Sequence, residues 1–333
     1  MSRSALLESW LASVFKDVPY TCTPLAGDAS LRRYWRVMTS TSSYVVMDAP
    51  PPETTQPFIE IGALLASQGL SVPTVLASDP ALGFLLLSDF GDQVYLSALQ
   101  SVSLAEPLYQ DALSALVKIH SVKPESISRF LPVFDTGFMH TQLTLFSTWY
   151  LKKHLQKDEQ AIEDWKQLGP LMDDLLSVIA SQPMVFIHRD YHSRNLMVLE
   201  HKNPGVLDFQ DAMMGPITYD VVSLFQDCYI SWPREQIVYW VLDFKKKLIN
   251  ATLLNPPVLD AQFIQWFDWT GVQRHLKNLG IFARLYHRDG KAQYLSDMPM
   301  ILKYISETCH QYPVLMPLWH FFEDIQVGLT CEL

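Results

Sequence analysis

The sequence predicts an α+β fold in which a small β-rich N-terminal half precedes a larger helical half. Short segments rich in β-forming residues, separated by turn residues, occupy residues 20–88. Apolar residues at helical spacing dominate from about residue 104 onwards. Two short apolar runs, at 185–187 and 205–207, interrupt the helical half and are typical of a strand pair. We place the boundary between the halves near residue 89.

The individual elements follow from local signals. Apolar residues at helical spacing predict an opening helix over residues 4–16. Pro57 suits the first turn of a second helix, which runs to about Gln68 and is terminated by Gly69. Further predicted strands are 20–25, 31–38, 43–47, 73–78 and 83–88. Further predicted helices are 104–120, 139–155, 158–181, 217–230, 234–252, 260–287, 291–311 and 316–328.

Composition narrows the class of protein. The 333 residues can bury a substantial core, and 49% hydrophobic against 18% charged residues excludes disorder as the main state. A formal net charge of −10 without a basic stripe argues against a nucleic-acid partner. The scattered cysteines form no C-x-x-C pair, the N-terminus lacks signal-peptide features, and no apolar run is long enough to span a membrane. We therefore expect a cytoplasmic monomer with reduced thiols and no membrane partner.

Three polar residues at predicted strand edges carry the strongest chemical signal. One apolar run leads into Asp190, Asn195 follows five positions later, and a second apolar run leads into Asp208. This order of carboxylate, amide and carboxylate is what phosphoryl transfer from Mg-ATP requires. We expect Asp190 to receive the proton of the attacking hydroxyl as the catalytic base. Asn195 and Asp208 would hold the Mg²⁺ ion through their oxygen atoms.

The motifs of the chain resemble the aminoglycoside phosphotransferase-like branch of the protein-kinase fold, over about residues 5–330. Within that branch, the flanking stretches are most similar to bacterial anomeric sugar kinases that act on N-acetylmuramate and N-acetylglucosamine. The stretches that carry the resemblance are Gly27–Arg36, Asp48–Pro51, His188–Asn195, Asp208–Ala212, Gly215–Asp220, Asp227–Pro233 and Gln273–Arg284.

The resemblance implies a protein-kinase-like bilobal fold and ATP-dependent phosphorylation of an anomeric hydroxyl in cell-wall recycling. It implies an N-lobe over residues 1–88, a hinge at 89–92 and a helical C-lobe over 93–333. The cofactors would be ATP and Mg²⁺, and the partner a small amino sugar. Two alternatives stay open, namely a phosphotransferase for an aminoglycoside or another small alcohol, and a catalytically silent nucleotide-binding protein.

Two stretches of the N-terminal half are expected to bind the nucleotide. A turn between two predicted strands would cover the phosphates with backbone N–H groups, through Gly27, Asp28, Ala29 and Ser30. In family terms, backbone groups near Leu87 and Asp89 would meet the adenine edge, and guanine stays open. The tripeptide at Asp89 spells the metal motif of kinases, but it lies about a hundred residues before Asp190, on the wrong side of it. We therefore assign no metal to it.

The third strand departs from the wider kinase pattern. Met47 or Asp48 stands where a lysine would pair the α- and β-phosphates, and the sequence has no lysine between Lys16 and Lys118. A substitute cation among the arginines of the preceding strand is one interpretation, and solvated arginines are the other.

The arginines in question fall on two faces of that strand. With a period of two, Arg32 and Arg36 share one face and Arg33 takes the other. We assign Arg33 to the nucleotide, and expect Glu60, on the second helix, to be available as a partner for such an arginine.

The remaining expectations concern the acceptor and the loop around Asp190. We expect Arg194, Asp211, Arg274 and His275 to contact the substrate. Asp211 would bond sugar hydroxyls, and the planar fork of an arginine such as Arg274 matches the carboxylate of N-acetylmuramate. The polar residues at the start of the 273–284 stretch should project towards a cleft or solvent. Loop residues that we interpret as structural are His188, Arg189 and the helix-start residue Asp220.

Overall fold

The computed structural model describes residues 2–25, 31–123 and 131–325. The chain divides into two compact units, the first comprising residues 1–130 and 194–212 and the second residues 131–193 and 213–333. The first contains a five-stranded antiparallel sheet, and the second is mostly helical, so the α+β class is confirmed. Because the segment 194–212 joins the first unit, the lobe boundaries expected at 88, 89–92 and 93 stay a prediction.

The first unit is built around its sheet. The sheet strands are β1 (Thr21–Pro24), β2 (Arg33–Met38), β3 (Ser43–Asp48), β4 (Val75–Asp79) and β5 (Phe84–Ser88). The helices of this unit are α1 (Arg3–Phe15), α2 (Gln56–Ser67), α3 (Tyr95–Ala98) and α4 (Val102–His120). The segment 194–212, which also belongs to this unit, adds a short antiparallel strand pair, β7 (Leu196–Met197) with β8 (Gly205–Val206).

The sheet has the order β1-β2-β3-β5-β4, and helix α1 packs on one of its faces. The core between α1 and the sheet consists of Leu7, Trp10, Leu11, Phe15, Val37, Val46, Phe84 and Leu86. Side chains alternate along a strand, so Arg33, which is opposite Asp48, shares the α1 face with Val37 and Val46. Tyr34 and its partner Met47 take the other face.

The second unit contains one strand pair and most of the helices. Strands β6 (Met184–Ile187) and β9 (Met213–Pro216) pair antiparallel. The helices are α5 (Thr136–Leu145), a π-helical segment (Phe146–His154), α6 (Glu159–Gln167), α7 (Gly169–Ala180), α8 (Tyr219–Phe225), α9 (Arg234–Asn250), α10 (Asp260–Asp289), α11 (Met298–Gln311) and α12 (Met316–Asp324). Short 3₁₀ turns at Ala292–Asp297 and Pro313–Leu315 precede the last two helices.

Helix α10 is the central element of the second unit. Its middle is buried on every side, including the polar residues Gln273, Arg274, His275 and Lys277. Gly280 allows close approach, since a Cβ atom there would lie 2.4 Å from the carbonyl carbon of Leu145. The expectation that the polar residues at 273–275 project towards a cleft or solvent is therefore wrong.

Most predicted elements are present, but their pairing and bounds differ in places. The two apolar runs do not pair with each other, because the strand at 185–187 pairs with β9 and the strand at 205–207 pairs with β7. The helix expected over 139–155 is α-helical only to Leu145 and then π-helical, and the helix expected over 291–311 begins at Met298. The helix expected over 158–181 is divided at Leu168, where α7 begins with Gly169 and Pro170, because proline has no N–H for a continuing helix. The helix expected over 217–230 ends at Phe225. Across the described residues, no helix combines the length and apolarity needed to cross a membrane.

Candidate active site

Asp190 follows strand β6 in a loop whose backbone is held by a buried carboxylate. Asp220, which is fully buried in α8, accepts hydrogen bonds from the backbone N–H groups of His188 (2.7 Å) and Arg189 (2.8 Å). Arg189 itself has a φ of 78°, a left-handed conformation that is costly for a residue with a side chain. Asp220 therefore stabilises the turn that presents Asp190, as the sequence predicted.

A second buried carboxylate holds the far end of the same loop. Asp227 accepts from the Ser193 hydroxyl (2.5 Å) and from the backbone N–H groups of Tyr229 and Ile230 (3.0 Å each). Burial raises the pKa of Asp227, and these hydrogen bonds oppose the rise. Asp220 and Asp227 thus fix the loop on both sides of Asp190.

A group of cations lies behind Asp190. The Nη2 atom of Arg274 is 3.8 Å from Asp190 Oδ1, and its Nη1 atom donates to the Arg189 carbonyl oxygen at 3.1 Å. Arg274 and Lys277 both donate to the hydroxyl of Tyr219, at 3.2 and 3.3 Å. Residues 274 and 277 are three apart, so helix α10 presents both towards the same ring.

This charge arrangement controls the proton affinity of the carboxylate. Desolvation alone would raise the pKa of Asp190, but Arg274, Lys277, His192 and Arg189 lower it to about 2. Burial alone would raise the pKa of the Tyr219 phenol, but Lys277, Arg274 and Arg189 lower it. Asp190 is therefore ionised at neutral pH and available to accept a hydrogen bond from a hydroxyl group.

The first unit holds the other charged cluster, around Asp208. Asn195 Nδ2 lies 3.5 Å from Asp208 Oδ2, and Gln210 Nε2 donates to Asp208 Oδ1 at 2.6 Å. Asp208 has a φ of 61°, a strained conformation that occurs most often at functional sites. The next residue, Phe209, packs on helix α2 with its ring centroid 4.8 Å from that of Phe58. Packing of Phe209 therefore fixes where the Asp208 carboxylate points.

The Asp208 cluster fits a divalent cation with oxygen ligands. Its carboxylate is exposed, and the Asn195 amide lies beside it with its nitrogen towards Asp208, so a rotation of the amide plane would present its oxygen to a cation. Within the described ranges, no group of three or more His, Cys, Asp or Glu side chains is arranged so that it could hold a metal ion. Mg²⁺ needs no such cage, since it is commonly held by one or two carboxylates together with substrate phosphates and water. Asn195 and Asp208 are thus suited to hold Mg²⁺ that is also bound by a nucleotide.

A family model for the phosphotransferase enzymes matches residues 21–272. The chain belongs to that family. N-acetylmuramate/N-acetylglucosamine kinase of Pseudomonas aeruginosa (strain PAO1) is 41% identical and aligns with 98% of this chain and 95% of that one. The protein of the same name from Neisseria meningitidis serogroup B is 38% identical over 99% of this chain and all of its own length.

Solved structures of phosphotransferases share the fold. The ADP-bound aminoglycoside phosphotransferase APH(2'')-Ib has a TM-score of 0.61 at 16% identity, over 91% of this chain and 98% of that chain. Choline kinase LicA from Streptococcus pneumoniae has a TM-score of 0.61 at 12% identity, over 92% and 100%. These likenesses confirm the expected protein-kinase-like fold class.

The residues expected to bind the nucleotide phosphates belong to the first unit. The turn formed by Gly27, Asp28, Ala29 and Ser30 lies outside the described residues. Arg33 is exposed on the α1 face, whereas Tyr34 lies on the other face, where burial and then the Asp208 carboxylate raise the pKa of its phenol. Because Arg33 lies on the α1 face and not on the face of Tyr34, its position does not fit the phosphate contact that we expected of it.

The expected hinge residues differ in what they offer a nucleotide. Leu87 is buried within β5, between Val45 of β3 and Val75 of β4, so both sides of its backbone face neighbouring strands. The Asp89 carboxylate is paired with Arg36 at 2.6 Å and accepts from Ser43. This pairing agrees with our decision to assign no metal to Asp89. An adenine contact would have to come from the backbone beyond β5.

The expected substrate residues fall into two groups. Arg194 and Asp211 are exposed and flank the Asp208 cluster in sequence. Arg274 is 5% exposed and His275 only 1%, with its Nε2 atom 3.2 Å from the Gln226 carbonyl oxygen. Burial lowers the pKa of His275 to about 3, so it is a neutral core residue and not the sugar contact that we expected.

Three residues that interact with candidate site residues were not predicted from the sequence, namely Lys277, Tyr219 and Glu53. Lys277 and Tyr219 gave a usable signal, because Lys277 lies one helical turn after Arg274 and Tyr219 directly precedes Asp220. Glu53 gave none. Arg32 pairs with Glu53 at 2.6 Å, while the expected partner Glu60 accepts from Gln56.

Proposed function

We propose that the protein transfers the γ-phosphoryl group of ATP to the anomeric hydroxyl of N-acetylmuramate and N-acetylglucosamine, in peptidoglycan recycling in the cytoplasm. The observation that carries this proposal is the 41% identity, across 98% of the chain, to a kinase named for these two sugars. Phosphotransferases that share only the fold act on chemically different alcohols, so the fold alone does not choose the acceptor.

Asp190 acts on the acceptor hydroxyl in this proposal. Its ionised carboxylate accepts the hydroxyl hydrogen bond, orients the oxygen for attack and receives the proton late in the transfer. With a pKa of about 2, it is a weak base. The anomeric hydroxyl of a sugar is more acidic than an ordinary alcohol, which suits such a base.

Asn195 and Asp208 hold the metal ion in this proposal. When bound, Mg-ATP supplies the phosphoryl group, and its metal neutralises the phosphate charge that develops during transfer. The strained backbone at Asp208, the donor Gln210 and the packing of Phe209 keep the carboxylate in one orientation. We retain Arg194 and Asp211 as contacts to the sugar because both are exposed.

Arg274 has a different role in the proposal than the sequence suggested. It is a positioning residue, since its guanidinium contacts Asp190, the Arg189 carbonyl and Tyr219 rather than an open surface. By holding these three groups, Arg274 keeps the catalytic carboxylate ionised and directed away from the core.

Turnover of purified protein with ATP and Mg²⁺ tests the function. We expect ADP release to depend on either amino sugar, and the reducing end of the sugar to disappear as phosphate is added at C1. A reducing product would show that the phosphate is on another hydroxyl. Absence of sugar-dependent ADP release would remove the proposal, and turnover with kanamycin alone would establish the aminoglycoside alternative.

A further inference from the structure

Strand β3 provides no cation for a nucleotide. Met47, on the face of Tyr34, is fully buried. Asp48 is 1% exposed and forms an ion pair with Arg3, whose guanidinium also donates to the Leu82 carbonyl oxygen at 2.7 Å. The position that a phosphate-binding lysine occupies in the wider kinase pattern is therefore used for packing and for attaching α1.

Arg32 is the buried arginine next to this position. It directly precedes β2, its side chain is 8% exposed, and its Nη2 atom is 2.6 Å from Glu53 Oε2. The alternation along the strand places it on the same face as Tyr34 and Arg36. Arg36 forms an ion pair with Asp89, so its guanidinium is not available to bind a phosphate.

The Tyr34 phenol is influenced by both the Arg32 guanidinium and the Asp208 carboxylate. Burial raises the pKa of Tyr34, the Asp208 carboxylate raises it further, and the Arg32 guanidinium lowers it. Both charges therefore lie within electrostatic range of one hydroxyl group. The register supplies the geometry, since Arg33 is opposite Asp48 and Tyr34 is opposite Met47. Arg32 therefore lies beside the strand-3 position, on the sheet face that α1 does not cover.

We propose that Arg32, held by Glu53, binds the phosphate groups of the nucleotide in place of the missing strand-3 lysine. The inference rests on the proposed function, because it assumes a metal-bound nucleotide at Asp208. A guanidinium carries five N–H donors in one plane, so it keeps a carboxylate partner while it binds phosphate oxygens. A buried arginine with a fixed partner also loses little conformational freedom on binding.

Calorimetric titration of ADP and of adenosine, in the presence of Mg²⁺ and without sugar, tests the assignment. Removing a charged hydrogen-bond donor in Arg32→Ala should weaken ADP binding by about tenfold to a hundredfold. Adenosine binding should change by less than about twofold, because adenosine has no phosphate. Arg32→Lys keeps the charge without the planar fork and should retain part of the ADP affinity.

The same titration on Arg33→Ala separates the two neighbouring arginines. A phosphate-dependent loss in Arg33→Ala, with ADP binding unchanged in Arg32→Ala, would overturn the assignment. An equal loss of ADP and adenosine affinity in Arg32→Ala would also overturn it. If Arg32→Ala does not fold, as judged by its thermal unfolding, Arg32→Lys and Glu53→Gln decide: unchanged ADP affinity in both would overturn the assignment.

Failure of this inference is distinguishable from failure of the proposed function. Wild-type protein that binds Mg-ADP but shows no sugar-dependent ADP release would refute the sugar kinase proposal alone. Normal sugar-dependent turnover together with unchanged ADP affinity in a folded Arg32→Ala variant would refute the role of Arg32 alone.

Discussion

Replacing Asp190 by asparagine should abolish proton acceptance while the protein stays folded. The difference between the ordinary pKa of 3.8 and the value of about 2 corresponds to about 2.4 kcal/mol of electrostatic stabilisation of the carboxylate. Solvent screening of a side chain that is 41% exposed reduces this to about 1 kcal/mol. That contribution is present at pH 7, and is lost only as the pH falls from about 4 through about 2. We therefore expect Asp190→Asn to lose about 1 kcal/mol in free energy of unfolding.

The loss of activity should be much larger than this loss of stability. General-base catalysis contributes about a hundredfold to ten-thousandfold, so kcat should fall by that factor. Urea unfolding and coupled ADP release measure the two effects on the same preparation. ADP affinity should be unchanged, because the proposal places Asp190 at the acceptor and not at the nucleotide. A folded Asp190→Asn variant with kcat within tenfold of wild type would refute the assignment of the base.

The remaining predictions concern the metal, the cation behind Asp190 and the central helix. Asp208→Ala should nearly abolish turnover and the Mg²⁺ dependence of ADP binding, with only a small fall in the thermal unfolding temperature, because the carboxylate is exposed but alanine adopts a φ of 61° less readily than aspartate. Arg274→Met should lower kcat without changing ADP affinity, and a parallel loss of both would contradict its link to Asp190. Gly280→Ala should cost about 3 kcal/mol in urea unfolding, because its Cβ would overlap the backbone of the facing helix α5. Gly169→Ala, which meets nothing within 4 Å, is the control and should be near neutral.

The sequence predicted the order of elements well because the local signals were strong. Pro57 and Gly69 bracket helix α2, and alternating β-forming residues marked the five sheet strands. The loop after β6 was predictable for a related reason, since an apolar run leads into it, while the catalytic role of Asp190 within it stays a prediction. The role of Asp220 in holding the loop backbone was predictable because a carboxylate at the start of a helix commonly accepts hydrogen bonds from nearby backbone N–H groups.

The sequence did not predict that several polar side chains are buried. Alternation assigned Arg32 and Arg33 to opposite faces, but it did not tell which face carries α1 and which carries Asp208. Likewise, helical periodicity treats Arg274 and His275 as surface residues, whereas α10 is enclosed by other helices on all sides. Such assignments need partners that are distant in sequence, as Glu53 is for Arg32.

The charge around Asp190 also bears on the choice between acceptors. The chain as a whole is acidic, with a formal net charge of −10, which would suit a polycationic aminoglycoside. The local balance is less acidic, because Arg274, Lys277 and Arg189 act on Asp190, although burial lowers the pKa of Lys277. Charges next to the acceptor act more strongly than distant surface charges, which salt screens. A cationic acceptor would be repelled at the catalytic carboxylate, whereas a neutral sugar, or one with a carboxylate, would not. The local field therefore supports the amino sugars over the aminoglycosides.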